Sequence, residues 1–407
     1  SAFLRNAYRR KATDAEITLM VDLFNKGPTL NSITDKTNSG VAIMIASALQ
    51  SPYFLYRNDL GDKVAGNYTQ LTPFETASKL SFAIWNSIPD ATLLDLAEKG
   101  ELQKPAVLKA QVTRMLSDAK AKQLLSTIHV QTFKVSDFTV VGQDAKSFPE
   151  AKFDSATVQN EAKLFIEDVV VTQGKGIAEL LTAPYAFVSS KTADAYGVQV
   201  SSTTPVKTQL DPQERAGLLS QVAFLSHYAK ANGTTNIVKR AFYITEGLMC
   251  TNFGTPPPPP EEDPNAVKSF KTNREYTENL TTKGNCAACH LTRLNPPGFA
   301  FENFGPTGKW QTVEKSGNPV NASAEFAAAS GSISFDGPVQ FLAEAVKHPE
   351  VHQCYVSKLV EALYGRPADV GDSPLIEALG AESLKGVSRV DLITKILSDP
   401  MLSARAN

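Results

Sequence analysis

Thr72-Pro73-Phe74-Glu75-Thr76-Ala77-Ser78-Lys79-Leu80-Ser81-Phe82-Ala83-Ile84-Trp85 opens on a Thr-x-x-Glu capping box, with Pro73 at the first helical position where its missing N–H costs nothing. Ala77, Leu80, Ser81, Ile84 and Trp85 then recur at helical spacing, which predicts an amphipathic helix. Upstream, Thr13 to Glu16 repeats the signature, and Ile17, Met20, Val21 and Phe24 follow it until Gly27 stops the pattern. Helical patterns also cover Val41 to Tyr56, Ala91 to Glu98, Ala106 to Ile128, Ser155 to Val171, Pro212 to Ala229 and Ile237 to Met249. They resume at Pro338 to Val346, at Cys354 to Tyr364 and after Ser388, where Asp391 lies in the first turn. Strand patterns are confined to short stretches such as Thr139-Val140-Val141 and Val198 to Val206. The expected fold is mainly α: a multi-helical body joined to a smaller C-terminal region with long loops.

The chain has 407 residues, room for two to three domains of about 100–200 residues each. A net charge of −2 gives no field for collecting nucleic acid or an anionic membrane surface. The longest apolar candidates, Gly40 to Leu49 and the broken run around Phe165 to Val171, fall short of the roughly 18 residues that a membrane span needs. The N-terminus shows no charged and apolar export signal, which suits a mature product or an excised fragment. Pro256 to Pro260 followed by Glu261-Glu262-Asp263-Pro264 is a stiff polyproline spacer. The expected organisation is an N-terminal helical segment (1–70), a helical domain (71–205), a further helical segment (206–255), the linker (256–264) and a C-terminal region (265–407).

That C-terminal region contains Cys286-Ala287-Ala288-Cys289-His290, the spacing by which haem c is attached. Two thiols separated by two residues add to the two vinyl groups, and the adjacent imidazole supplies the proximal iron ligand. With four Cys and five His in the chain, the pentapeptide is expected by chance only roughly four times in ten thousand. A zinc site would have to recruit Cys250 and Cys354, which are distant single residues and not a second Cys-x-x-Cys pair. A redox dithiol would want the motif at a helix start after a strand, whereas Tyr276 to Asn285 is polar and helix-to-loop in character. One covalent haem c, anchored by Cys286 and Cys289 and ligated by His290, is therefore expected.

Haem c is attached outside the cytoplasm, which points to a periplasmic or extracellular location. In that setting Cys250 and Cys354 form either a disulfide or two buried thiols. The sixth iron ligand is open among His227, His352, His348, His129, Met249 and Met401. His227 sits in an otherwise apolar helix, where a satisfied core histidine is the competing reading. Candidate partners for the haem propionates are Arg240, Arg293, Lys309 beside Trp310, and Arg366, with Trp310 also suited to filling the pocket.

Several stretches resemble one family. Phe3-Leu4-Arg5-Asn6-Ala7-Tyr8-Arg9-Arg10 followed by Thr13-Asp14-Ala15-Glu16 is similar to its opening motif, and Ser51-Pro52-Tyr53-Phe54-Leu55-Tyr56-Arg57 to its SPxFLYR element. Trp85-Asn86-Ser87-Ile88-Pro89-Asp90 with Leu93-Leu94, Arg215-Ala216-Gly217-Leu218-Leu219 and Gly233 to Arg240 follow further patterns. The haem motif runs on through Asn295-Pro296, Gly298-Phe299-Ala300-Phe301-Glu302-Asn303-Phe304 and Gly308-Lys309-Trp310, with one extra residue between His290 and Asn295 and Asn replacing an acidic residue. Leu363-Tyr364-Gly365-Arg366 resembles the closing motif. Together these resemble the planctomycete-type single-haem cytochrome proteins, bacterial chains of adjoining domains of unknown function. The resemblance implies haem and export, and placement within a longer cytochrome protein or an assembly.

The function expected is electron carriage between redox partners, other cytochromes among them, with an oligomer or filament subunit as a further expectation. Two alternatives stand beside it. One is a haem enzyme, peroxidase-like or oxidising a small organic or carbohydrate substrate, with His227 in the distal pocket; its main support is a helical body larger than electron carriage needs. The other is a non-redox assembly module. No catalytic triad, phosphate loop or carboxylate pair stands out.

Overall fold

The structure, a computed structural model, describes residues 2–140, 151–230, 233–254 and 270–406. The expected polyproline linker and Val141 lie outside them. Helix accounts for 59 % of the chain and strand for 9 %, so the fold is mainly α. Among the described residues no helix is long and apolar enough to cross a membrane. Two compact units emerge: Ser1–Leu124 with Glu361–Asp372 and Ile393–Asn407, and Leu125–Val360 with Ser373–Leu392.

In the first unit both capping boxes close as the sequence reads. Thr13 caps Asp14–Leu30 and Thr72 caps Pro73–Trp85, with Glu16 and Glu75 returning the bond to the cap N–H. Two long helical readings are split by capping chemistry. Ser51 ends Lys36–Gln50, and its hydroxyl then caps the short Pro52–Leu55. The pattern from Ala106 to Ile128 is two helices, Pro105–Leu116 and Ala119–Thr132, because Asp118 accepts the Lys120 N–H and starts a new one. Asp14–Leu30 packs on Lys36–Gln50 through glycine: a Cβ on Gly27 would lie 2.6 Å from the Gly40 backbone, and one on Gly40 would lie 2.5 Å from the Phe24 ring. The strands Lys63–Ala65, Tyr68–Gln70 and Ala404–Ala406 form a small antiparallel sheet in that order.

The second unit departs from the sequence reading in four places, the first being Thr139-Val140, which lies in no strand. Pro212 to Ala229 is not one helix, because Gly217 adopts φ 59° where a Cβ would strike the Leu181 carbonyl; only Val222–His227 is α-helical. Of the stretch Val198 to Val206, only its last residue is in a strand, Val206–Gln209, which pairs antiparallel with Tyr185–Val188. The loop-like sequence before Gly337 contains a hairpin, Ser323–Ala328 with Gly331–Asp336. Its inward residues Phe326 and Phe335 pack edge-on against Phe341 of Pro338–Ala345.

Two buried arginines tie this unit together. Arg215 donates to the carbonyls of Ser220, Ala195 and Gly308, and Arg240 to those of Leu225, Phe301 and Phe304. Gly298 of Asn295–Phe299 lies against Ile237 of Ile237–Met249, so closely that a Cβ would come within 2.4 Å of the Ile237 carbonyl oxygen. Cys250 and Cys354 are joined in a disulfide, with Cα atoms 5.4 Å apart.

Two measurements follow from this packing. Alanine at Gly27 must push two helix backbones apart, so Gly27→Ala should lower stability by about 1–3 kcal/mol, read as a fall in urea midpoint. His129 is wholly buried; its Nδ1–H donates to Leu125 O at 2.8 Å and its Nε2 accepts the Tyr355 hydroxyl at 2.8 Å. Burial, followed by the Arg389 charge, drops its pKa to about 4. The folded state thus resists protonation, and stability present above pH 6.5 drains away as pH falls through about 4. Between those limits wild type should lose up to about 3 kcal/mol more than His129→Gln; equal slopes would show that the ring is not held neutral.

Candidate cofactor attachment site

Asn273–Thr281 is a polar helix capped by Thr272. Beyond it the chain turns at Gly284, which takes φ 55°, and enters a one-turn helical stretch through Gly284–Cys286 and Ala287–Cys289. Cys286 and Cys289 are both free thiols, the first half-buried and the second exposed. Leu291, 59 % exposed, leaves an apolar side chain in solvent beside them. Among the described residues the helix Asn273–Thr281, not a strand, leads into the motif, which is not the setting of a redox dithiol. The sulfurs of Cys250 and Cys354 are bonded to each other and cannot join the motif as zinc ligands.

His290 opens a π-helical stretch, His290–Leu294, in which the Asn295 N–H donates to the His290 carbonyl. Such a turn holds one residue more than an α-turn. It absorbs the extra residue between His290 and Asn295 and brings the Asn295 side chain against the imidazole. His290 Nδ1 lies 2.8 Å from Asn295 Oδ1, and Asn295 Nδ2 donates to Thr281 Oγ1 at 2.7 Å. The Thr281 hydroxyl already gives its proton to Thr277 O, so it must accept from Asn295. Asn295 consequently presents its oxygen to His290, Nδ1 carries the proton, and Nε2 keeps a lone pair for a metal. Two thiols and one correctly protonated imidazole on successive turns fit the donor set of haem c. The sequence reading missed the role of Asn295; its substitution for an acidic residue was the available signal.

The remaining candidates fall into distinct places. His129 and His352 are core residues with both ring nitrogens engaged, His352 by Ser383 Oγ and Val346 O. His227 Nδ1 lies 3.1 Å from the Thr139 backbone nitrogen and 3.0 Å from the Thr139 carbonyl oxygen, so it is engaged in either tautomer, and the ring packs on Phe138 and Tyr228. Burial lowers its pKa. His348 differs. Ser330 Oγ donates to Glu350 and accepts from His348 Nδ1, which turns the Nε2 edge of the ring away from that bond. Glu350 and Met249 line a hollow of about 20 Å³ together with Arg293 and Phe253, next to the π-helical stretch. Met401 lies in the first unit, in Pro400–Ser403.

Among the residues considered for propionates, Arg240 is wholly buried and both its terminal amino groups serve backbone carbonyls, so it is a strut inside the unit. Arg366, in the first unit, binds Asp372 at 2.6 and 2.9 Å. Lys309 pairs with Asp194. Trp310 sits edge-on to Phe304 and lines a separate cavity with Glu302 and Glu314. Arg293, exposed and 5.7 Å above the Phe253 ring, is the basic residue the fold leaves beside the motif.

Three family profiles match: PSD5, described as a protein of unknown function (DUF1595), over residues 1–59; PSD4 (DUF1592) over 71–198; and PSCyt3 (DUF1588) over 215–314. No curated protein and no solved structure matches the chain. The chain thus carries stretches that match three adjoining domain families of unknown function, and the PSCyt3 match spans both free thiols and His290.

Proposed function

We propose that this protein is an exported monohaem c-type cytochrome that carries electrons between redox partners, within a larger cytochrome protein or assembly. The observation that carries the reading is the pairing of two free thiols with an imidazole whose Nε2 lone pair is fixed by Asn295 and Thr281. The Cys250–Cys354 disulfide fits an oxidising compartment, and the PSCyt3 match covers the motif. When bound, haem supplies a one-electron iron couple.

The chain's own residues hold and tune that group. Cys286 and Cys289 offer the thioether sulfurs and His290 Nε2 the proximal ligand. Asn295 holds the imidazole plane and, by accepting from Nδ1, makes the ring a better donor. Exposure of Cys289 and Leu291 puts the attachment turn at the surface, where a partner protein reaches it. For the sixth position, His348 and Met249 are the candidates that combine a free donor with a place near the motif: Met249 lines the Arg293 hollow directly, and His348 joins it through Ser330 and Glu350.

Expression with a periplasmic haem-attachment system tests this directly. Haem should stay bound on a denaturing gel, and Cys289→Ser should shift the reduced absorption band to that of a single thioether link. An exported, folded protein without covalent haem would overturn the proposal. Loss of the low-spin spectrum in His348→Ala but not Met249→Leu, or the reverse, assigns the sixth ligand.

Asn295→Asp offers a second check. A carboxylate accepts from Nδ1–H more strongly than an amide, so the imidazole becomes more electron-rich and the midpoint potential should fall. An unchanged potential would mean that Asn295 does not orient the iron ligand.

A further inference from the structure

The PSCyt3 domain also contains a cavity of about 320 Å³ that the cytochrome reading does not use. Trp310 forms part of its wall, with Pro306 and Val313 beside it. Glu302, Asn273 and Thr235 contribute buried polar groups, each less than 8 % exposed. Glu314, half-buried, and the lysines 309 and 315 complete the lining.

The polar groups are organised. Glu302 accepts from Thr235 Oγ1 and from Asn273 Nδ2 at 2.9 Å, with the Arg240 guanidinium 3.5 Å away. Glu314 accepts the Asn273 N–H at 2.9 Å. Asn273 also binds Thr235 through Nδ2, yet its Oδ1 is buried with no hydrogen-bond partner. That atom is sealed inside the wall, so the polar groups a ligand can meet are the half-buried Glu314 carboxylate, the indole of Trp310 and the lysine side chains.

The charges restrict what that ligand can be. An anion would meet the carboxylates of Glu302 and Glu314; a cation would meet Lys309 and Lys315. Hydroxyl groups both donate and accept, so a neutral, hydroxyl-rich molecule serves Glu314 as donor and Lys315 as acceptor, while Lys309 is already paired with Asp194. An indole beside them suits the C–H face of a sugar-like ring. Glu314 adds versatility. Burial first, then the nearby charges of Glu302 and Glu275, push its pKa up to about 7, so near neutral pH it either accepts from a hydroxyl or donates to one.

We infer that the cavity bounded by Asn273, Glu302, Trp310 and Glu314 binds an uncharged polyhydroxylated small molecule of mono- to disaccharide size. The inference stands independently of haem.

Calorimetric titration of the full chain with D-glucose, D-xylose and maltose, set against D-glucuronate and protonated D-glucosamine, tests it. At least one neutral sugar should bind more tightly than its charged analogue. Glu314→Ala should weaken that binding about tenfold or more, the worth of one hydrogen bond to a charged group. Val313→Trp, at a position 50 % exposed on the wall, should block it while the thermal melt stays that of wild type. Absence of neutral-sugar binding, preference for either charged analogue, or binding unaffected by both substitutions would overturn the assignment. Haem content plays no part in the readout, so failure of this site and failure of the cytochrome reading are separable.

Discussion

The buried guanidinium of Arg240 is the constraint on which the second unit depends. Burying a charge is tolerable only where hydrogen bonds replace its water, and here the carbonyls of Leu225, Phe301 and Phe304 do so, with Glu302 as counter-ion. Those carbonyls come from the end of Val222–His227 and from the chain following Asn295–Phe299, while Arg240 itself rises from Ile237–Met249. One side chain therefore fixes three segments. Gly298 against Ile237 makes the same junction close enough to exclude any side chain at that position. The turn that carries His290 thus stands on a base that cannot slide, whereas the thiols in front of it remain open to solvent.

That division explains how two kinds of sulfur chemistry coexist in one domain. Thioether formation needs Cys286 and Cys289 reduced, while Cys250 and Cys354 are joined by oxidation. Cys289 is exposed and Cys286 half-buried, so both thiols stay within reach of a reductant, whereas Cys354, only 2 % exposed, is withdrawn from exchange. The disulfide spans a sequence separation of 104 that encloses the whole motif, so it restrains the unfolded chain just where the attachment residues lie.

The helical character was legible because capping boxes and 3.6-residue periodicity are local signals, read correctly at Thr13 and Thr72. The hairpin Ser323–Asp336 was not, since its strand formers are only Phe326, Ile333 and Phe335, scattered among alanines, serines, glycines and acidic residues. Arg240 shows a subtler failure. Charge suggested a propionate partner, but its position among Ile237, Ala241, Ile244, Thr245 and Leu248 places it on the buried stripe of its helix, which is where the structure puts it. At the candidate site the spacing singled out Cys286, Cys289 and His290, and the structure shows two free thiols followed directly by that imidazole. Thr281 and Asn273 were not singled out, and Asn295 showed only as a departure from an acidic residue, because their roles depend on which lone pair faces which proton.

The helix Asn273–Thr281 joins the two sites this domain presents. At its first residue Asn273 holds Glu302 and Glu314; at its last Thr281 orients the Asn295 that orients His290. Between them the Thr277 hydroxyl donates to Asn273 O and the Thr281 hydroxyl to Thr277 O, each across one helical turn. Back-bonding of this kind fixes hydroxyl rotors that would otherwise be free to choose a partner. Backbone carbonyls interrupt the chain, so it is no proton wire; its effect is to align dipoles. The same helix thus holds the Glu314 carboxylate at one end and the Asn295 amide at the other, each through its own hydrogen bonds.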